Sequence, residues 1–312
     1  MKYVNIVQLY LYITGAIPTL DLDETIVKRY EMIKATYIQF KADRGLYDFT
    51  DLPQYLLDVM EEYDERIYDI DALFVDEFQD IDEVQFKIFN RVDAVKKVYI
   101  GDAHQAIYQF RGAIEHIFDI LAEDNFHAMH LDTNYRSKQN IINAADSLRM
   151  AALETLEDGS DCYLCDLMIT DQSETICARG EGGNVYQVPD INTCYSAKYN
   201  EEQFYNPQQL IKSLFSEEGT MVLCRSNKQV RKLQALGITE VSTIHQAKGL
   251  EYNNVIMMDI DVSSEEELNV AYVAMTRAKN NLCIINFDAF VAVVAALPNG
   301  AKMQSNAPKL LF

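Results

Sequence analysis

Short apolar segments alternate with longer amphipathic segments along most of this chain. The apolar segments predict strands at "DALFVDE" (71–77) and "KKVYIGD" (96–102), and further strands at 184–188, 220–225, 240–244, 254–260 and 281–287. The amphipathic segments predict helices at 137–157, 206–216, 227–236 and 265–279. This alternation favours an α/β fold with parallel sheets, in which functional groups gather where the strands end.

The region before the first strand has helical spacing instead. Ile26, Tyr30, Ile33 and Tyr37 recur at that spacing, and Thr50 or Asp51 is a suitable cap for a second helix. Residues 158–205 lack a clear period and predict a long loop or a small insertion. We therefore expect four regions, which are a helical region at 1–66, a short α/β domain at 67–125, a second α/β domain at 126–300 and a tail at 301–312.

Composition limits the kind of partner. The 312 residues include 27 basic and 48 acidic ones, for a net charge of −21. Such a field repels nucleic acid at long range, which argues against a broad basic surface but leaves room for a narrow groove. The most apolar stretch, "AFVAVVAALP" near residue 289, is too short to span a bilayer and predicts a buried helix, so no membrane association is expected.

Two adjacent acids follow the first predicted strand, in "LFVDEFQD" (73–80). An acid at a strand end can hold Mg²⁺, and its neighbour can take a proton from an attacking water. Asp76 and Glu77 are candidates for these roles. The alternative is a pair of solvated acids at the start of a turn, and an Asp-Glu pair considered alone favours that alternative.

A second group of polar and aromatic residues follows the next strand, in "IGDAHQAIYQFRGA" (100–113). Gln105 is placed to sense a phosphate, and Tyr108, Phe110 and Arg111 suit stacking on single-stranded bases. His104 is interpreted as a loop residue, because the carboxylates are better bases. The alternative for the two aromatic residues is the core of a following helix.

Three more segments contain candidate residues in the second domain. "LDTNYRS" (131–137) contains Arg136, "VSTIHQAKGLEY" (241–252) predicts a strand-to-helix turn, and "AYVAMTRAK" (271–279) places Arg277 on a helix. Two arginines directed at a phosphate act as arginine fingers. Surface salt bridging is the commoner role of a single arginine.

Together and in this order, the five segments closely resemble the later motifs of superfamily 1 DNA helicases of the UvrD/Rep type. "YDFTDL" (47–52) also resembles the segment before the Walker B strand of that family, and the resemblance covers about residues 40–287. It implies two RecA-like parallel-sheet domains of the P-loop NTPase fold, the first of them incomplete. It also implies ATP and Mg²⁺ as cofactors and single-stranded DNA as a partner. The irregular spacing of the six cysteines separately favours reduced thiols and a cytoplasmic location.

The resemblance assigns nucleotide chemistry to the end of the first strands. Asp76 would ligate Mg²⁺, and Glu77 would be the general base for the hydrolytic water. Gln79 and Gln105 would relay the state of the γ-phosphate.

The resemblance also assigns residues of the second domain to the nucleotide. Arg136 and Arg277 would contact the γ-phosphate, and Glu251 would bind the ribose. Lys248 and Gly249, in the same segment as Glu251, are assigned to nucleotide binding.

DNA contacts are implied at two further places. Tyr108 and Phe110 would stack on bases beside Arg111, with Phe110 standing where many relatives have Trp. Thr243 and His245 would lie near the DNA backbone.

One motif of the family has no counterpart in the sequence. None of the 12 glycines is followed by Lys, so the phosphate loop G-x-x-x-x-G-K-[ST] is absent. Three explanations fit this absence. The chain could be part of a split helicase whose separate polypeptide bears that loop, a fragment or degenerate copy, or a non-hydrolysing binding module. The intact sequences of the five motifs favour the split helicase, whose separate polypeptide would complete the sheet. On its own, the chain would leave an apolar edge exposed at strand 72–75.

The cysteines give a weaker signal. Cys162 and Cys165 form a C-x-x-C, and Cys177 and Cys194 follow, a set that could hold zinc or an iron–sulfur cluster. The spacing matches no strong template, so free thiols are expected.

Overall fold

The computed structural model describes residues 24–123, 126–158, 175–190, 192–198, 201–204, 206–259 and 264–297. The chain divides into two compact units, Met1–Ala128 (unit 1) and Met129–Phe312 (unit 2). In the described part, no helix combines the length and the apolar character needed to cross a membrane. The C-x-x-C at Cys162 and Cys165 and the expected tail at 301–312 lie outside the described residues, as does the side chain of Cys194.

Unit 1 contains helices around a pair of strands. Its elements are α1 (Glu24–Arg44), α2 (Asp51–Glu62), β1 (Ile67–Val75), α3 (Glu83–Asn90), β2 (Val92–Tyr99) and α4 (Ile117–Glu123). The predicted helices and both predicted strands are confirmed, although each strand starts four residues before its predicted position. β1 and β2 pair in parallel with Val75 opposite Tyr99, so both strands end at the same edge.

One face of the β1–β2 pair is packed and the other is open. Phe78, which has no exposed surface, packs on Tyr99 and Phe118 with ring centroids 4.5 and 5.6 Å away. On the opposite face Phe74 keeps 66% of its surface exposed and Val98 keeps 37%. Parallel sheets are usually covered on both faces, so this face is unusual within the described residues.

A buried ion-pair cluster connects α1 to the segment that leads into α2. Lys41 Nζ lies 2.8 Å from Asp48 Oδ2 and 2.7 Å from Asp51 Oδ2, and only 9% of its side chain is exposed. Burial opposes the charge on Asp48, but hydrogen bonds from Lys41, Thr50 and Tyr37 outweigh that cost and hold the pKa of Asp48 far below its usual value. Polar contacts therefore hold this part of unit 1 together.

Unit 2 is built around one large sheet. Its elements are β3 (Thr133–Asn134), α5 (Gln139–Asp158), β4 (Ile176–Cys177), β5 (Asn184–Asp190), β6 (Thr193–Lys198), β7 (Glu201–Phe204), α6 (Pro207–Ser216), β8 (Thr220–Cys224), α7 (Asn227–Ala235), β9 (Val241–Thr243), α8 (Ile244–Ala247), β10 (Tyr252–Met258), α9 (Glu265–Met275), β11 (Ala278–Ile285) and α10 (Phe287–Ala296). The sheet has the order β7-β6-β5-β11-β10-β8-β9. All its pairings are parallel except those of β6 with β5 and with β7.

Two expectations for unit 2 are wrong. The region at 158–205, predicted to be irregular, contains β6 and β7, which extend the sheet beyond β5 as antiparallel strands with β7 at the edge. Antiparallel strands can leave one face in solvent and need no continuous apolar run, so the sequence of these two strands did not reveal them. The helix predicted at 265–279 ends at Met275, and Arg277 lies in the turn before β11, where its carbonyl accepts a hydrogen bond from Tyr252 N–H.

The core of unit 2 lies on both faces of the parallel strands. Val222 and Leu223 lie on opposite faces of β8 and have no exposed surface, and the predicted apolar helix is confirmed as α10. Phe290 and Val293 of α10 are also completely buried. Unlike the sheet of unit 1, these central strands are covered on both sides.

A row of polar side chains crosses the sheet of unit 2 near the start of its strands. Asn184 donates to Asn281 (2.7 Å), Asn281 donates to Asn254 (2.6 Å), and Asn254 donates to Thr220 (2.9 Å). The four residues occupy paired positions on neighbouring strands. A one-residue slip of any strand would break this row, so it specifies the register of the sheet.

Candidate functional site

The two acids of unit 1 lie in the turn that follows β1. Asp76 and Glu77 are both exposed, and Asp76 Oδ1 accepts a hydrogen bond from Glu77 N–H (2.9 Å). Glu77 has a left-handed backbone, with φ 51° and ψ 40°. Such a conformation is uncommon for a residue with a side chain and is concentrated at functional sites.

Gln79 connects the end of β1 to the end of β2. It is 2% exposed, its Nε2 donates to Glu77 Oε2 (2.5 Å), and its Oε1 accepts from Asp102 N–H (3.0 Å). A Cβ on Gly101 would lie 2.3 Å from Gln79 Oε1, so only glycine leaves room for this amide. The orientation of Glu77 therefore depends on the residue that follows the neighbouring strand.

Asp102 holds the residues of the next turn. Its Oδ2 accepts from Gln105 Nε2 (2.8 Å), and its Oδ1 accepts from His104 N–H (2.9 Å). Gln105 is thus fixed at the same edge as Gln79. His104 is part of this turn, with Nδ1 3.2 Å from Asp102 Oδ1.

Tyr108, Phe110 and Arg111 form a small aromatic and cationic cluster. The two rings are 6.1 Å apart, and the Arg111 guanidinium lies 4.9 Å from the Tyr108 ring and 5.7 Å from the Phe110 ring. Both rings are half-buried at a 3₁₀ turn (Gln109–Arg111) rather than in the core of a long helix. Their partly exposed faces and the cation are suited to stacking on flat groups.

Unit 2 brings together residues that are far apart in sequence. Arg136 Nε lies 3.4 Å from Glu251 Oε2, and Lys279 Nζ forms a shorter ion pair with Glu251 Oε1. The hydrogen bond from Lys279, supported by Arg136, lowers the pKa of Glu251. Arg136 and Glu251 keep 31% and 45% of their side-chain surface exposed, so both can reach a ligand.

Arg277 lies close to this group but is turned into the protein. It is 1% exposed, its Nε donates to Val273 O (3.0 Å), and its Nη1 donates to Leu250 O (3.3 Å). Its guanidinium therefore supports the loop just before Glu251. Because the side chain is almost completely buried here, its predicted contact with a phosphate requires a local rearrangement that exposes the guanidinium.

The segment "VSTIHQAKGLEY" folds as the predicted strand-to-helix turn. Thr243 is 6% exposed and caps α8, with its Oγ1 accepting from Gln246 N–H (3.3 Å). His245 lies in α8, Lys248 follows it, and Gly249 adopts φ 80°. The hydroxyl of Thr243 thus contributes to the turn itself.

Two family models match the chain. The UvrD/REP helicase N-terminal domain matches residues 19–126, and the UvrD-like helicase C-terminal domain matches residues 237–289. The first match contains Asp76, Glu77 and Gln105, and the second contains Glu251 and Arg277. The chain belongs to the UvrD/Rep helicase family.

Curated relatives agree with this membership. A probable DNA helicase of Mycoplasma pneumoniae is 26% identical over 83% of this chain and 52% of its own length. The ATP-dependent DNA helicase PcrA of Leuconostoc citreum is 37% identical over 31% of this chain and 13% of its own length. The chain thus spans about half the length, or less, of these relatives. Among solved structures, the PRRSV helicase aligns at 16% identity over 69% of this chain and 34% of its own, with a TM-score of 0.39.

Family membership and topology agree on the fold. The parallel strands with helices between them form RecA-like units, as the resemblance implied. In unit 1 the sheet consists of β1 and β2 in the residues that the structure describes. Within the described residues, unit 1 of this UvrD/Rep-family chain therefore contributes two parallel strands.

Several residues of the site were not singled out in the sequence. Asp102, Lys279 and Arg179 had no assigned role, although Asp102 and Lys279 lie inside quoted motifs. Asp102 could have been found by its position at a strand end, two residues after Ile100. Arg179 lies in an irregular stretch and contacts residues 43 and 100 positions away, so no local pattern could reveal it.

The donor set at Asp76 fits Mg²⁺. Mg²⁺ keeps several waters and takes one or two protein carboxylates, which an exposed carboxylate at a strand end provides. Among the described residues, no group of three or more His, Cys, Asp or Glu could hold a metal by itself. Cys177 is a buried free thiol whose pKa burial raises to about 11.

Proposed function

We propose that this chain is the motor portion of an ATP-dependent DNA helicase or translocase that couples ATP hydrolysis to movement on single-stranded DNA. The observation that carries the proposal is the Gln79 amide, which joins the Glu77 carboxylate to the backbone after β2. A fixed carboxylate in a strained turn is suited to orienting and deprotonating a water. A solvated acid pair would need no such buried connection.

The roles in unit 1 follow from its chemistry. Bound at Asp76, Mg²⁺ would neutralise charge on the phosphates. Glu77 would accept the proton of the attacking water, and Gln79 would hold its carboxylate in place. Gln105, anchored on Asp102, would contact a phosphate oxygen.

The roles in unit 2 concern nucleotide binding. Arg136 and Lys279 place two cations on either side of the Glu251 carboxylate. Glu251 would accept hydrogen bonds from ribose hydroxyls, and Arg136 would contact a phosphate oxygen. Arg277 would contribute a phosphate contact only after a local rearrangement exposes it, and Lys248 and Gly249 would contact the nucleotide near Glu251.

DNA binding would use stacking rather than a basic surface. Tyr108 and Phe110 present partly exposed rings beside Arg111, and base stacking on such rings is independent of sequence. Thr243 and His245 are proposed near the DNA backbone. The net charge of −21 restricts binding to a local groove of this kind.

We further propose that a separate polypeptide supplies the phosphate loop. The sequence contains no glycine followed by lysine, and the open face of β1–β2 leaves Phe74 and Val98 available for another layer. Strands of that polypeptide would pair along the edge of the sheet, and its helices would cover this face.

A second function is a non-hydrolysing module that binds single-stranded DNA or a protein. The buried Arg277 favours it, since a phosphate contact from this residue needs a conformational change. Such a module would keep the Tyr108–Phe110 cluster and would lose turnover.

The experiment that separates these functions is ATP hydrolysis by the purified chain, with and without single-stranded DNA, alone and mixed with a candidate loop-bearing polypeptide. DNA-stimulated hydrolysis only in the mixture supports the motor and its partner. Hydrolysis by the chain alone rules out the need for a separate loop. DNA binding with no hydrolysis under either condition rejects the motor and leaves the binding module.

A further inference from the structure

Arg179 occupies a turn that contacts the segment containing Arg136. Cys177 O accepts from Gly180 N–H (2.9 Å), which closes a turn with Arg179 near its tip. The strand before this turn, β4, pairs with β3, which ends two residues before Arg136. The turn and the Arg136 segment are therefore neighbours through backbone pairing.

The guanidinium of Arg179 makes three hydrogen bonds at once. Nη1 donates to Arg136 O (2.9 Å) and to Lys279 O (3.3 Å), and Nη2 donates to Asn280 Oδ1 (2.9 Å). The fork thus connects the backbone of Arg136 with the start of β11. Lys279 and Arg136 are also the two cations that contact Glu251.

The same turn completes the amino end of α5. Gly180 O accepts from Gln139 N–H (3.3 Å), and Gly182 O accepts from Asn140 N–H (3.0 Å). These amides have no partner inside a helix, so the turn stabilises the start of α5. Arg136 lies three residues before that start.

We propose that Arg179 is a positioning residue that fixes Arg136 and Lys279 around Glu251. It does so by holding their two backbone carbonyls on one planar donor group. The arrangement suits a guanidinium because its donors diverge in a fixed plane, whereas an ammonium ion is a single point of charge. Arg179 itself need not touch a ligand. This inference rests on the proposed nucleotide site of unit 2.

The test uses the full chain and three substitutions, Arg179→Met, Arg179→Lys and Arg231→Met. Arg231 is an exposed arginine of α7 and serves as the control for loss of one positive charge. Amide hydrogen exchange of residues 134–140 reports the segment directly. Binding of a fluorescent ATP analogue reports the site without requiring turnover.

We expect Arg179→Met to speed exchange in 134–140 and to weaken nucleotide binding, each by about three- to tenfold. Arg179→Lys should recover little of either, and Arg231→Met should change neither. In a chain that already carries Arg136→Ala, adding Arg179→Met should weaken nucleotide binding by less than it does in the wild type.

Two results would overturn the inference. One is unchanged exchange in Arg179→Met, and the other is full recovery by Arg179→Lys, which would make charge rather than geometry the cause. If the wild-type chain binds no nucleotide, either alone or with the loop-bearing polypeptide, while exchange still responds to Arg179→Met, the proposed function fails and the anchoring of the segment stands.

Discussion

The two units differ in how their sheets are stabilised. In unit 2, buried side chains such as Val222 and Ile256 cover the central strands, and the asparagine row specifies their register. In unit 1, the sheet within the described residues is a single parallel pair, and Phe74 remains 66% exposed. The comparison indicates that unit 2 has a core sufficient for its own sheet, whereas unit 1 depends more on polar connections such as those of Lys41 and Gln79.

The two units also differ in the charge of their candidate site residues. The edge of unit 1 presents the carboxylates Asp76 and Glu77, and the site of unit 2 presents cations around Glu251. Carboxylates suit metal and proton chemistry, whereas cations suit the binding of phosphate. We therefore expect substitutions in unit 1 to affect turnover and those in unit 2 to affect affinity.

The largest effect should follow Glu77→Gln. The kcat for ATP hydrolysis should fall about 10²- to 10³-fold, measured with the chain alone or with the loop-bearing polypeptide, whichever hydrolyses ATP. The reason is that the side-chain amide of the introduced glutamine cannot accept the proton of the attacking water. Thermal unfolding should remain unchanged, since the side chain is exposed. Steady-state kinetics with single-stranded DNA present would measure the effect.

Two matched variants sharpen this prediction. Glu83→Gln, at the start of α3, should leave turnover unchanged, and Glu251→Gln should raise KM more than it lowers kcat. If Glu77→Gln changed only KM while Glu251→Gln changed only kcat, the division between the two units would be the reverse of ours.

The next largest effect should follow Lys41→Met in unit 1. The change leaves Asp48 and Asp51 without their cation in a mostly buried place, at a cost of about 2–3 kcal/mol in local stability. Hydrogen exchange of α1 and α2 would report the loss. Lys87→Met is the control, because its ion pair with Glu83 is exposed to solvent and should contribute little to stability. Equal effects of the two variants would show that the buried cluster has no special importance.

A slightly smaller effect should follow Asn254→Leu in unit 2. Leucine fills the space but leaves Asn281 and Thr220 without their shared partner, which costs about 2 kcal/mol. Chemical denaturation with exchange of β10 as the local probe would measure it. Asn253→Leu, at the exposed neighbouring position, should cost less than about 1 kcal/mol. A neutral Asn254→Leu would mean that packing alone sets the register.

The sequence predicted secondary structure best where the apolar pattern lies within one short segment. The strands β1, β2 and β8 and the apolar helix α10 could be predicted, because each contains a short apolar run. β6 and β7 could not, since antiparallel strands at the margin of a sheet can leave one face in solvent and need no such run.

The contacts inside the site were harder to predict than the elements. Arg136 and Glu251 are 115 residues apart, and only the order of strands in the sheet brings them together. The burial of Arg277 has the same origin, because the carbonyl of Leu250 reaches it from another loop. Motif resemblance identified these residues, whereas their partners depend on tertiary packing.

The smallest effect should follow Phe74→Ala, and it tests the comparison of the two sheets directly. With 66% of its surface exposed, Phe74 should contribute less than about 0.5 kcal/mol to the stability of the chain alone. Met257→Ala, on a strand of unit 2 with no exposed surface, should cost about 2–4 kcal/mol. Chemical denaturation of the two variants would compare their losses in free energy of unfolding.

Titration with the loop-bearing polypeptide tests whether the open face is a binding surface. If that polypeptide covers the open face, Phe74→Ala should weaken association while leaving the isolated chain unaffected. A cost of 2 kcal/mol or more in the isolated chain would mean that the face is already covered, and the two units would then be stabilised in the same way.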